Sequence, residues 1–216
     1  MQATLMIYDG TAAPDSEIPR TGGVPLAPEG FIWPLCGDCC GGPMQFFAHL
    51  PVEYGVLSVF LCQNNPGSCE SWDATAGANR VFLFPPAGLV AVAVPESGVT
   101  LLPAVSAIKT QVVTLEPETG DDDELPPDAY DLARSGWERE PGEWFGKQRE
   151  VLGSLGGSPS YLEDDRLPGC PSCSGTTEFA AHLEEGIDRQ TAMNLGGQLG
   201  YVFVCRPCSE GAFLTD

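Results

Sequence analysis

Gly or Pro punctuates the chain every few residues, and short apolar, β-branched stretches run between these breaks. "QFFAHL", "NRVFLFP", "GLVAVAV", "GVTLLP", "IKTQVVTLE", "EFAAHL" and "LGYVFVC" all have this form. Such runs are short for helices, and branched side chains suit a pleated surface, so each predicts a strand. The most apolar tract, "AGLVAVAVPESGVTLLPAV", is cut by Pro95, Glu96 and Pro103, and reads as successive strands rather than a membrane span. A short helix is expected from Gly142 to Leu152, with Trp137, Trp144 and Phe145 as packing residues. The tract from Glu116 to Asp131 is dense in acidic residues and proline, lacks alternation, and is expected to be a mobile linker.

The pattern occurs twice. "RTGGVPLAPEGFIWPLCGDCCG" aligns without a gap on "SLGGSPSYLEDDRLPGCPSCSG", superposing Gly22, Gly23, Pro25, Pro34, Cys36, Cys39 and Gly41 on Gly156, Gly157, Pro159, Pro168, Cys170, Cys173 and Gly175. After one deletion the match resumes with "QFFAHL" against "EFAAHL" and "VFLC" against "VFVC", so the two histidines, His49 and His182, share one place in the repeat. The expected fold class is therefore mostly β (α+β), with two pseudo-symmetric β lobes from an internal duplication, each with a zinc knuckle. The lobes span 1–115 and 151–216, with an acidic linker and short helix at 116–150, and pack as one domain.

Cysteine spacing adds chemistry to this frame. Cys170-x2-Cys173 and Cys205-x2-Cys208 form two knuckles, the second directly after a strand, which is the pattern of a zinc ribbon with four thiolates and no open position. The first unit supplies Cys36, Cys39, Cys62 and Cys69, with six residues between the last two. The repeat places Cys40 opposite Ser174, so Cys39 is the expected ligand and Cys40 the spare thiol. Two zinc ions are expected. No export signal precedes these cysteines, which favours a reducing, cytoplasmic setting over disulfides.

Charge narrows the partners. Thirty acidic residues against ten basic ones leave a formal charge of −20 among 216 residues, a field that repels nucleic acid and attracts basic protein segments. No H-E-x-x-H or G-x-S-x-G element occurs, and no catalytic residue is assigned. His49 and His182 are expected as packed imidazoles hydrogen-bonded to backbone, since the thiolates already close each tetrahedron.

"GGVPLAPEGFIWP" followed by a knuckle, "GGPMQFFAHL" and the terminal "LGYVFVC" resemble the YwqG-like family. The duplicated Gly-Gly-x-Pro and knuckle are also similar to its eukaryotic relative, programmed cell death protein 2. The resemblance implies a two-lobed, mostly β fold and a binding role, as a dedicated chaperone for a basic protein or as an immunity protein. The combined expectation is a zinc-stabilised, non-enzymatic module that binds a basic polypeptide between its lobes. The alternative is a metal-dependent enzyme using an incomplete site near Cys62 and Cys69.

Overall fold

The computed structural model describes residues 2–115, 129–138, 151–159, 167–186 and 189–216. Twelve strands lie among them: β1 (Gln2–Thr11), β2 (Arg20–Thr21), β3 (Leu26–Pro28), β4 (Gln45–Val52), β5 (Gly55–Leu61), β6 (Asn79–Phe84), β7 (Leu89–Ala91), β8 (Ser106–Thr114), β9 (Val151–Leu155), β10 (Glu178–Leu183), β11 (Gly200–Cys205) and β12 (Glu210–Thr215). Among the described residues one α-helix, α1 (Ala129–Glu138), lies between β8 and β9.

Ten of the strands close into an antiparallel barrel in the order β1-β8-β2-β4-β5-β6-β12-β11-β10-β9, while β3 and β7 pair separately. Strands from all round the ring send Met6, Phe47, Leu57, Val59, Val81, Ile108, Leu152, Val202 and Phe213 into one buried cluster, which is the barrel interior. Alternation sorts the faces: in β5, Leu57, Val59 and Leu61 belong to that cluster, whereas Phe60 packs in a second one outside it.

The repeat is visible as two four-stranded meanders, β2-β4-β5-β6 and β9-β10-β11-β12. Each has the same interruption in its second strand, a bulge between Phe46 and Ala48 and another between Phe179 and Ala181. The meanders join edge to edge where Glu210 and Gly211 pair with Phe82 and Val81. At their far edges, the pair β1–β8 bridges β2 to β9. The lobes expected from the sequence are thus halves of one closed sheet, because an unpaired edge on either meander would leave backbone N–H and C=O groups without partners.

Other expectations shift in detail. "GLVAVAV" supplies β7 to the small sheet, and "GVTLLP" contributes only a bridge from Leu101 to Phe46. The mobile tract and the helix expected from Gly142 fall largely outside the described residues. Where they overlap them the structure differs: Ala129 to Asp131 open α1, and Val151 and Leu152 begin β9. Helix α1 lays Tyr130, Ala133 and Trp137 on Leu5, Ile7 and Val151, so Trp137 is a packing residue as expected. Trp144 and Phe145 lie outside the described residues.

Arg20 shows how the first meander is locked. Its fully buried guanidinium donates to the carbonyls of Ser16 (2.8 Å), Val24 (2.5 Å) and Gly22, and sits 5.6 Å from the Phe46 ring centre. Burial lowers its pKa to about 10, partly opposed by Asp15, so it stays charged at neutral pH. The Gly-Gly turn beside it is equally constrained. Gly22 has φ 70°, and a Cβ there would overlap the Ala104 carbonyl oxygen, whereas Gly156 has φ 64° and open space around the same position. Gly156→Ala is expected to cost the left-handed backbone penalty of about 1–2 kcal/mol. Gly22→Ala adds overpacking, about 1–3 kcal/mol more. Urea denaturation of the two variants measures the difference, and equal costs would remove the special role of Gly22.

Candidate metal centres

Each cysteine group forms where a knuckle turn meets a strand end. In the second unit, the Cys170 N–H donates to the Gly175 carbonyl, and the Ser174 N–H returns to the Cys170 carbonyl, each at 2.8 Å. Cys205 ends β11, and Cys208 follows in a single 3₁₀ turn, 206–208, before β12. The Sγ atoms of Cys170, Cys173, Cys205 and Cys208 all lie within 4.8 Å of one another.

In the first unit Cys36, Cys39, Cys40, Cys62 and Cys69 meet within the same limit. The knuckle is held by Cys36 N–H to the Gly42 carbonyl (2.8 Å) and Gly37 N–H to the Gly77 carbonyl (2.8 Å). Asn64 organises the far side, with Nδ2 donating to the Pro43 carbonyl at 2.7 Å and Oδ1 accepting from Val99 N–H at 2.8 Å. Asp38 accepts the Glu70 N–H at 2.7 Å, tying the knuckle to the loop that carries Cys69. Trp33, Met44, Phe46 and Phe60 pack around the group and bury Cys36, Cys62 and Cys69.

The structure joins Cys39 to Cys69 as a disulfide, leaving Cys36, Cys40 and Cys62 as free thiols in that group. Neutral disulfide sulfur is no thiolate ligand, so a metal and this bond compete for Cys69. The other sulfur separations have metal-site dimensions. Cys36–Cys69 is 3.7 Å, Cys62–Cys69 3.6 Å, Cys40–Cys62 3.5 Å and Cys173–Cys205 3.9 Å. Tetrahedral zinc with bonds of about 2.3 Å requires sulfurs about 3.8 Å apart. Both groups therefore fit a metal ion such as zinc.

The two knuckles differ by one residue, and this bears on the fifth thiol. Cys170 N–H reaches five residues ahead to Gly175, whereas Cys36 N–H reaches six ahead to Gly42. A left-handed residue follows Cys173 at Ser174 (φ 58°), and one follows Cys40 at Gly41 (φ 65°). The deletion in the repeat thus falls inside the knuckle, not after Gly41, and the backbone makes Cys40 the counterpart of Cys173. The gapless sequence register had instead matched Cys39 to Cys173.

Within each group the thiols influence one another's ionisation. Burial disfavours the Cys170 thiolate, but N–H groups of Cys173 and Ser172 and the Cys173 and Cys205 thiols bring its pKa down to about 7. Neighbouring sulfurs Cys173, Cys205 and Cys170 push Cys208 up to about 12. In the first group burial lifts Cys62 to about 11, while Cys36 is lowered by the N–H groups of Cys39, Cys40 and Asp38 despite its burial. Without a cation, one thiolate forms at the expense of its neighbours; a divalent ion stabilises all four together.

The remaining candidates fall elsewhere. His49 and His182 are buried in β4 and β10, and neither belongs to a cysteine group. A cavity of about 170 Å³ adjoins the first group, lined by Cys62, Cys69, Gln63, Asn65, Ser71 and Asn194 among others. None of the described helices is long and apolar enough to cross a membrane. No protein-family model matches the chain, and no curated protein is significantly similar to it.

In reduced, zinc-replete protein, Cys39→Ser is expected to retain full metal and Cys40→Ser to lose one ion per chain, read by elemental analysis. The opposite pattern would restore the C-x2-C spacing and place the register change beyond Gly41.

Proposed function

We propose that this protein is a zinc-stabilised, non-enzymatic module that binds a basic polypeptide. The observation that carries the proposal is the pair of cysteine clusters, Cys36, Cys39, Cys40, Cys62 and Cys69 in the first and Cys170, Cys173, Cys205 and Cys208 in the second; four thiolates drawn from each would leave zinc no position for a substrate or a reacting water. The −20 charge supplies the preference for a cationic partner. Resemblance to YwqG-like proteins and to programmed cell death protein 2 belongs to the same reading, as does a cytoplasmic setting in which Cys39 and Cys69 are reduced.

A docking groove fits this role where the two halves meet. Trp72, Asp73, Ala74 and Thr75 from the first half face Leu167, Pro168 and Gly169 from the second, around a hollow of about 400 Å³. Trp72 and Leu167 are half exposed, at 50% and 48%, and offer apolar anchors beside the Asp73 carboxylate. A second reading, a metal-dependent enzyme centred on Cys62 and Cys69, draws on the cavity next to them. Five nearby sulfurs for four ligand positions weigh against an open coordination site.

Purified protein is expected to contain two zinc ions, and stripping them should lower its melting temperature sharply, because structural zinc contributes about 10–16 kcal/mol of apparent binding free energy in small zinc modules. Elemental analysis and thermal melts in strong chelator check this. Partner binding is tested by capture from a basic-protein fraction at low and high salt, with Trp72→Ala alongside. A specific basic protein should be retained at low salt, released when charges are screened beyond about 8 Å, and lost in the variant. Recovery of only neutral or acidic proteins would reject the proposal.

A further inference from the structure

The two cysteine groups differ by one thiol. In the first, the sulfurs of Cys36, Cys39, Cys40, Cys62 and Cys69 all lie within 4.8 Å of one another; the second holds only Cys170, Cys173, Cys205 and Cys208. Tetrahedral zinc takes four thiolates, so with Cys40 as the counterpart of Cys173, a loaded first centre leaves the Cys39 sulfur unbound beside its ligands. Cys36, Cys62 and Cys69 are buried, whereas Cys39 is half-buried. Cys39 is therefore a free thiol within reach of solvent and in contact range of a metal ligand.

That ligand is Cys69. The Cys39 and Cys69 sulfurs are bonded in this structure, and their Cα atoms lie 5.2 Å apart, inside the usual range for a disulfide. A contact that involves no sulfur helps to hold the two segments together, since Asp38 Oδ2 accepts the Glu70 N–H at 2.7 Å from the residue next to each cysteine. Cys69 also sits 3.7 Å from Cys36 and 3.6 Å from Cys62, at metal-site separations. It thus has two alternative partners, a metal shared with Cys36, Cys40 and Cys62, or the Cys39 sulfur. The second group has four free thiols and no spare, so a disulfide within it would remove two ligands at once.

We propose that Cys39 is an oxidation site through which a peroxide opens the first metal centre. The Cys39 thiolate attacks one peroxide oxygen, the O–O bond breaks, and a sulfenic acid and a hydroxide form. Cys69 then leaves the metal as a thiolate and attacks the sulfenic sulfur; the S–S bond forms, the S–O bond breaks, and a second hydroxide departs. Each hydroxide takes up a proton, so peroxide gains two electrons and becomes water while the sulfur pair loses two. Cys36, Cys40 and Cys62 remain, and the position vacated by Cys69 is open to water or to a chelator. Trp33, Met44, Phe46 and Phe60 pack with Cys36, Cys62 and Cys69 in one cluster, so loss of the ion loosens the cover on β4 and β5. A dithiol reverses the step by returning two electrons to the disulfide. The inference rests on zinc binding by the first group and is independent of the basic-polypeptide reading.

The test treats fully reduced, zinc-loaded protein with hydrogen peroxide at neutral pH, with a metallochromic chelator reporting released zinc. Elemental analysis before treatment establishes the zinc content; a first group without zinc would overturn this inference together with the metal assignment. Peroxide is expected to release one of the two zinc ions ahead of the other, with peptide mapping showing a Cys39–Cys69 disulfide at that point. Added zinc and a dithiol should restore the starting content. In Cys39→Ser, which keeps four ligands in each group, the early release should disappear and both ions should be lost together at the slower rate. If that variant does not fold, the disulfide map of the wild-type protein after loss of one ion decides, because Cys39 and Cys69 must be the bonded pair. Loss of both ions at one rate from the wild type, a first disulfide that lacks Cys39 or Cys69, or undiminished early release from Cys39→Ser would overturn the proposal and leave the metal assignment standing.

Discussion

Thiolates packed at the separations seen here, 3.5 to 3.9 Å, repel each other strongly once ionised. A cation held between them would remove that repulsion, and the outer layer of the protein is arranged around these sulfurs. The loops from Gly22 to Met44 and from Val92 to Leu101 have little regular structure of their own. Trp33, Met44 and Leu101 nonetheless pack with Phe46, Phe60 and the cysteines in one cluster. A metal that fixes Cys36 and Cys62 therefore also fixes this cover on the outer face of β4, β5 and β6. The second group does a smaller task, closing the knuckle at 170–175 onto the tight 206–208 turn.

Beneath that layer the barrel solves a different problem. Each four-stranded meander has two unpaired edges, and neither is large enough to bury a full core. Joining β6 to β12 and spanning the opposite gap with β1 and β8 removes every edge of the sheet and encloses one apolar interior. The two meanders differ on their outer faces. Arg20 and Ser154 occupy matching positions, as do Ser58 and Tyr201, and the Tyr201 ring that stacks on His182 has a serine as its counterpart beside His49.

Much of this was legible in the chain. The repeat, the strands at "QFFAHL", "NRVFLFP" and "LGYVFVC", and the two cysteine groups follow from local pattern and spacing, because side-chain alternation and knuckle turns are properties of a few adjacent residues. Other elements were not. The run Gln2–Thr11 is a long barrel strand whose apolar residues, Leu5, Met6 and Ile7, are consecutive and lack clean alternation, since both faces of β1 are covered, one by the interior and one by α1. The stripe Tyr130, Ala133, Trp137 that seats α1 is short and sits beside an acidic tract that masks it.

The sequence alone determined that this protein is mostly β and that its cysteines fall into two groups, because these depend on residue type and near-neighbour spacing, though Cys40, expected as a spare thiol, joins the first group. Only the tertiary structure decided that the units share one barrel, that Cys40 rather than Cys39 matches Cys173, and that the matched histidines have unlike surroundings. Those outcomes rest on edge pairing between distant strands, on backbone φ inside a turn, and on which side chains from elsewhere in the chain cover a given face. None of these is a property of the residues in their own local window.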